Sequence, residues 1–504
     1  MERRTFFRSA LAATAATLPL PRALGGSTPF SVLTPWTLRD VTAVTGDGRE
    51  VTLTSAAIEE LDRRMTGRVL LAGDGGYDDA RRVLNPSFDK HPALIAQVTG
   101  VADIRAAVDF AQDHGGLLLA VKCGGHSASG KSTCDRGMMI DLSPFRDVRV
   151  DPYARTARVT GGSLLGQLDH EAMAYDLVVP MGTVSHTGVG GLVTGGGFGR
   201  LARRFGLSID NLRSVDVVTA AGEFLRASPE ENPDLFWGVR GGGGNFGIVT
   251  SFEFRLHEMQ RQVLAGLIAH PLDRAREALR VYGDYGPEAP DELQIDMVIL
   301  QPPGGEPGMA AFAVCYSGDP SGADRALRPL RGIGTPIMDN VGPMDYVALQ
   351  RSGDIDDPRA QAQYLKSGFI PDLPAGLIDA LVDGFEGAPG RTTEVIFQQS
   401  GGIIGRVQSD ATAFSQRDAI ANMIAAVNWP AGADPSEHVD WIRRYWEPLE
   451  PYTTGFYIND AAPDEGRMAT VQAFRQNHAR LVQVKNRYDP TNLFRLNSNV
   501  EPTV

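Results

Sequence analysis

The 504-residue chain has only three cysteines, Cys123, Cys134 and Cys315. One bridge at most could form, so the fold does not rest on a disulfide framework. Cys315 sits in the apolar run AFAVCYSG, which predicts a buried strand. Positive charge is scarce: 48 Lys and Arg face 61 Asp and Glu, for a net charge of −13 and a pI near 5.2. Nucleic-acid phosphates and anionic lipid call for basic patches, and this balance argues against both partners. No apolar run is long enough to span a bilayer. Internal repeats and low-complexity tracts are lacking, and no metal-ligand cluster is read from the sequence.

What is plentiful is glycine, 57 residues, clustered rather than scattered. Clustered glycine marks backbone that turns sharply or approaches a ligand closely. The first residues read as a targeting segment. Arg3 and Arg4 precede Phe6 and Phe7, and a mild apolar stretch runs from Ser9 to Pro21. This pattern predicts a twin-arginine-type signal over residues 1–25, and hence export to the periplasm or the cell exterior. A general secretory signal, or a merely basic N-terminus, is the alternative.

Strands are expected at Leu94–Val98, Leu117–Lys122, Met138–Leu142 and Thr156–Thr160, with a helix over Asp103–His114. Ser163 is read as the cap of a helix that turns Leu164, Leu168 and Ala172 inward. A hairpin (Val215–Thr219, Glu223–Ala227), a helix (Pro233–Val239) and a strand (Ile248–Leu256) follow. Residues 260–450 change rhythm. Strands at 263–269, 292–300, 309–317 and 393–399 alternate with helices at 272–283, 321–330 and 374–385, which predicts an antiparallel sheet with helices.

Two segments carry chemistry. In Lys122-Cys123-Gly124-Gly125-His126-Ser127 a strand ends in a glycine turn whose N–H groups can form an anion-binding nest. Taken alone, a histidine in such a turn is more often structural than functional. The second segment, GTVSHTGVGGLVTGGGFG over residues 182–199, can be forced into the G-x-G-x-x-G dinucleotide pattern. That reading fails, because glycine continues through Gly195, Gly196, Gly197 and Gly199, and no βαβ rhythm holds Asp210 or Asp216 as the distal acid. A backbone wall lying against a flat ring system fits better.

These pieces, with MIDLS at 139–143, DN at 210–211, NPDLFWGVRGGGGNFGIVTSFEF at 232–254 and YDPTNLFR at 488–495, resemble the berberine-bridge-enzyme-like oxidases of the vanillyl-alcohol-oxidase, or PCMH-type FAD-binding, family. The resemblance implies an α+β fold: a two-part FAD-binding domain plus an α+β substrate domain with an antiparallel sheet. The expected boundaries are 30–260 for the FAD domain (its PCMH-type core over 88–259), 261–455 for the substrate domain, and 456–504 returning to FAD. It further implies that Cys123, Gly124, Gly125, His126, Ser127 and Gly130 wrap the FAD pyrophosphate, with His126 bonded to the flavin 8α-methyl carbon. Thr183, Thr187, Gly188, Gly190, Gly191 and Gly197 would lie along the flavin. Ile248 and Val249 would touch the adenine end, and Asn497 and Asn499 would border the ring. Some relatives add a second bond from a cysteine four residues before Gly188. Val184 stands there, so a single covalent bond is expected, and Cys123 and Cys134 are read as structural thiols.

The Tyr457-Ile458-Asn459 segment matches a Tyr-x-Asn segment of the family, often followed by a second Tyr; here Asp460 takes that place. Tyr457 and Asp460 are the candidate catalytic groups, and Gln398 and Gln399 the candidate substrate contacts. The implied function is an FAD-linked oxidase that takes hydride from a small alcohol, sugar or amine and reoxidises with O2. A dehydrogenase using another acceptor and a non-enzymatic flavin-binding exported protein stay open as alternatives.

Overall fold

The computed structural model describes residues 39–301, 307–355, 359–385 and 392–504. The export segment expected over residues 1–25 lies outside them. Four strands form the first sheet, in the order Arg68–Leu70, Leu94–Gln97, Met138–Asp141, Leu119–Lys122. Both Leu94–Gln97 and Leu119–Lys122 run parallel to Met138–Asp141. Parallel neighbours need a crossover. Helix Val101–Asp113 supplies it and buries Ile104, Ala107, Val108 and Ala111. Buried on both faces, Met138–Asp141 has no exposed residue.

The second sheet has five antiparallel strands, ordered Phe224–Ala227, Leu212–Val218, Ile248–Arg255, Thr156–Thr160, Val148–Asp151. Its helix Leu165–Met173 begins one residue later than expected, and Ser163 is not its cap. Ser163 Oγ donates to Asp147 O at 3.0 Å, while Gln167 Oε1 accepts from Leu164 N at 2.9 Å and satisfies the helix start.

The third sheet is antiparallel throughout, running Met338–Asp339, Gln262–Pro271, Met309–Tyr316, Leu293–Gln301, Thr392–Gln399, Ala421–Pro430, Gln361–Ile370, with Gly342–Asp345 also paired to Gln262–Pro271. Side chains alternate across a strand. Val395, Phe397, Met423 and Ala425 therefore face helices Ala275–Tyr285, Ala323–Arg331, Ala375–Phe385 and Ser436–Trp446 in one large core. The other face presents Ile396, Leu365, Ile424 and Ala426, and Ala128 of the glycine turn packs onto it.

Charged side chains pin this sheet to the rest of the molecule. The Arg203 guanidinium, fully buried, donates to Ser400 O at 2.8 Å and Ala289 O at 2.7 Å. Arg417 makes a two-pronged pair with Asp210 at 2.8 and 2.7 Å. Among the described residues no helix is long and apolar enough to cross a membrane.

Candidate functional site

A cavity of about 390 Å³ lies where the three sheets meet. Its first wall is the turn after Leu119–Lys122: Cys123, Gly124, Gly125, His126, Ser127, then Ser129, Lys131 and Ser132. A Cβ on Gly124 would stand 2.3 Å from Gly188 N, so two strands of backbone touch here and only glycine fits. The Cys123 thiol is pushed up to about 11 by burial and is a neutral, unreactive group; its Sγ donates to Ser163 O at 3.6 Å.

His126 is the polar centre of this wall. Its Nδ1 is 3.3 Å from Thr187 Oγ1 and its Nε2 2.6 Å from Nδ1 of His186. Burial, reinforced by His186, holds its pKa down to about 3, so the ring is neutral at any physiological pH.

The second wall is Gly182, Thr183, Val184, Thr187, Gly188, Gly190 and Gly191. From Val189 to Gly195 this stretch is a short helix, and a Cβ at Gly191 would meet nothing, so the flank lies open to the cavity. The third wall joins Gly243, Gly244 and Asn245 to Ile248, Val249 and the C-terminal Phe494, Leu496, Asn497 and Ser498. A fully buried ion pair sets it. Lys485 Nζ donates to Asp489 at 2.6 Å, to Asn245 O at 2.9 Å and to Phe494 O at 3.0 Å, while Asp489 accepts from Leu493 N and Phe494 N. The YDPTNLF turn is thereby clamped to the glycine turn before Asn245.

The fourth wall holds Tyr457, Ile458, Asn459, Asp460 and Gln398. Tyr457 packs in a ring cluster with Phe198, Phe369 and Phe414, centroids 5.3 to 6.4 Å apart. Its hydroxyl accepts from Gly197 N at 2.9 Å and from Asn459 Nδ2 at 2.8 Å. Both bonds favour the phenolate, but burial outweighs them and pushes the pKa well above the ordinary range. Asp460 accepts from Asn422 Nδ2 at 2.8 Å, and the same amide donates to Gln398 Oε1 at 2.9 Å. Burial raises Asp460 to about 6, with the Asn422 bond opposing.

Four residues expected at the site do not line the cavity. Gln399 is turned to the helix-covered face by strand alternation: its Nε2 donates to Gly286 O at 2.9 Å and its Oε1 accepts from Ile295 N at 2.6 Å. Gly197 lies behind the wall. A Cβ there would meet Ser208 Oγ at 2.1 Å, and its φ of +87° is glycine's own region. Gly130 shapes its loop against Phe88, and Asn499 is set back from the surface of the cavity. The sequence reading in turn missed His186 and Asn422. His186 is hidden in a run read only as backbone, and Asn422 sits on a strand that was not foreseen. Among the described residues no cluster of His, Cys, Asp and Glu could hold a metal ion.

Comparison with known proteins gives two family matches: an FAD binding domain over residues 92–228, and a berberine and berberine-like segment over 456–501. The chain is 31% identical to an FAD-linked oxidoreductase of Dictyostelium discoideum, over 88% of this chain and 97% of that one. It is 30% identical to the (R)-6-hydroxynicotine oxidase of Paenarthrobacter nicotinovorans, over 86% and 97%. Its fold is similar to that of xylooligosaccharide oxidase from Myceliophthora thermophila in complex with xylobiose, with a TM-score of 0.79 at 26% identity over 89% and 100% of the two chains.

Proposed function

The chain belongs to the berberine-bridge-enzyme-like FAD-linked oxidoreductases, and from that premise we propose an oxidase that moves hydride from a small alcohol, sugar or amine to FAD bonded once, through His126, and then to O2. The residues present fit FAD. Ser132 Oγ, Asn497 Oδ1 and Ser498 Oγ are buried, line the cavity and have no partner in the protein, as hydrogen-bonding groups awaiting a polar ligand would be. The glycine walls leave backbone free to lie against flat rings, and His126 is a neutral nucleophile.

Bound FAD supplies a two-electron acceptor for hydride and a path for those electrons to O2. The protein supplies the rest. Asp460 is the base that takes the proton from the substrate O–H or N–H. With a pKa near 6 it is ionised at pH 7 yet more basic than an ordinary carboxylate. Tyr457 keeps its proton. Its acceptor positions are filled, so its own O–H is the group left to orient a substrate oxygen. Gln398, held at Oε1 by Asn422, keeps its amide hydrogens for the substrate. Asn497 and Asn459 fix the neighbouring backbone, and a twin-arginine-type signal would carry the loaded protein out of the cytoplasm.

One observation carries this reading: His126 and the Asp460 carboxylate line a single cavity, contributed by segments more than 300 residues apart. The experiment is a screen of alcohols, sugars and amines monitored by bleaching of the flavin absorbance. Reoxidation in aerated buffer and in-gel fluorescence after acid precipitation accompany it. Bleaching followed by rapid return of colour is expected. Slow return would favour a dehydrogenase, and a dark protein band would sink the covalent bond.

A further inference from the structure

His126 and His186 meet at the cavity wall, but only His126 lines the cavity. The ring nitrogen facing His186 is Nε2, 2.6 Å away, so Nδ1 is the one left for the cavity, with only the long 3.3 Å contact to Thr187 Oγ1. A neutral imidazole has one nitrogen with a free lone pair. For Nδ1 to attack carbon, the proton must sit on Nε2. Once the bond forms, that proton must leave. The acceptor in reach is Nδ1 of His186.

An acid stands behind the pair. The Asp354 carboxylate is fixed by Ser185 N at 2.8 Å and Ser185 Oγ at 2.6 Å, next to His186 in the chain. Ile355 N–H stands 3.4 Å from His186 Nε2, a contact too weak to fix the tautomer; the neutral tautomer that accepts at Nδ1 carries its own proton on Nε2 and gives this contact up. Both residues lie in the turn after helix Tyr346–Arg351, where a Cβ on Gly353 would strike Thr183 O at 2.5 Å. A segment of the antiparallel-sheet half thus closes the back of the histidine pair. Cys123 is no rival base, since its thiol points to Ser163 O.

We propose that His186 activates His126 for its own attachment to FAD, accepting the Nε2 proton as Nδ1 bonds to the flavin 8α carbon. The inference rests on the covalent attachment proposed above. In the step, the Nδ1–C bond forms and one 8α C–H bond breaks. The C–H proton leaves to solvent, and its electron pair enters the ring system, which is thereby reduced by two electrons. His186 passes its proton on to solvent, backed by Asp354. O2 then takes two electrons and two protons and leaves as H2O2. One N–H and one C–H are exchanged for a C–N bond, with O2 as oxidant. His186 acts through His126 and has no part in substrate turnover.

The test uses the full chain as purified, with His186→Ala and His186→Gln, scored by in-gel flavin fluorescence after acid precipitation and by intact mass. The wild-type band is expected to fluoresce. His186→Ala should be yellow, release its pigment on acid, and incorporate added FAD covalently roughly 100-fold more slowly, the scale of a lost proton acceptor. Imidazole in the buffer should restore incorporation, which a merely structural loss would not allow. A His186→Ala band as bright as wild type overturns the proposal. Should that variant be colourless, His186→Gln decides, because glutamine keeps the hydrogen bond but takes no proton. Yellow protein with a dark band then supports the proposal; a bright band, or a colourless protein, overturns it. A dark wild-type band is a different result, the failure of covalent attachment itself.

Discussion

Tyr457 and Asp460 sit three residues apart, and burial raises both pKa values, with opposite consequences for chemistry. It takes the phenol out of the useful range and brings the carboxylate to about 6, where it can act as a base near neutrality. Turnover should therefore rise as pH increases through about 6 and level off above it, since the ionised form is the active one. Asp460→Asn is expected to lower kcat about 10²- to 10⁴-fold and to flatten that acidic limb. An unaltered limb in the variant would assign it to another group. Tyr457→Phe removes a donor but not the base, so it should raise KM more than it lowers kcat, while stability falls by about 1–3 kcal/mol because Gly197 N and Asn459 lose their acceptor. Steady-state kinetics on each variant separates the two roles.

At the scale of elements, the C-terminal turn hangs on the Lys485–Asp489 pair, both partners fully buried. Lys485→Met would leave Asp489 charged and unpaired in the interior, a loss of about 3–5 kcal/mol. Urea unfolding should show it, and the variant should incorporate less FAD as it folds because Asn497 and Ser498 lose their anchor. Gly197→Ala would force a methyl into Ser208 at a φ of +87° and should destabilise by a similar route, read as a drop in Tm.

The same scale explains what the sequence could convey. Regular elements with strong periodicity were legible: Thr156–Thr160 and Pro233–Val239 lie where the pattern put them. The two strands Gln361–Ile370 and Ala421–Pro430 were not. Ala421–Pro430 is buried on both faces and lacks alternation, and Gln361–Ile370 finds its ladder partner only beyond the intervening strand Thr392–Gln399. With them went Asn422, the residue that holds Asp460 and Gln398. Gln398 and Gln399 look alike as neighbouring letters, and only the pleat sends one to the cavity and the other to the helices. His186 was illegible for a related reason, since its partner lies 60 residues earlier and meets it only through two packed backbones.

At the scale of the whole molecule, the cavity is walled by all three sheets, so a bound cofactor would act as a linchpin between them. His126→Ala should bind FAD reversibly. Its Tm should then climb with added FAD, by about 2.7 kcal/mol of stabilisation at a hundredfold excess over Kd, while the wild-type Tm stays fixed. A melting series at increasing FAD checks this, and a concentration-independent variant would mean that other contacts hold the cofactor. The third and fourth walls have a consequence in time as well as in space. Tyr457, Asp460, Asn497 and Ser498 all come from the last tenth of the polypeptide. A ribosome still translating that stretch holds a chain whose cradle is missing two sides. Cofactor capture is therefore expected to wait for residues 456–504, and stalled nascent chains lacking them should emerge without pigment.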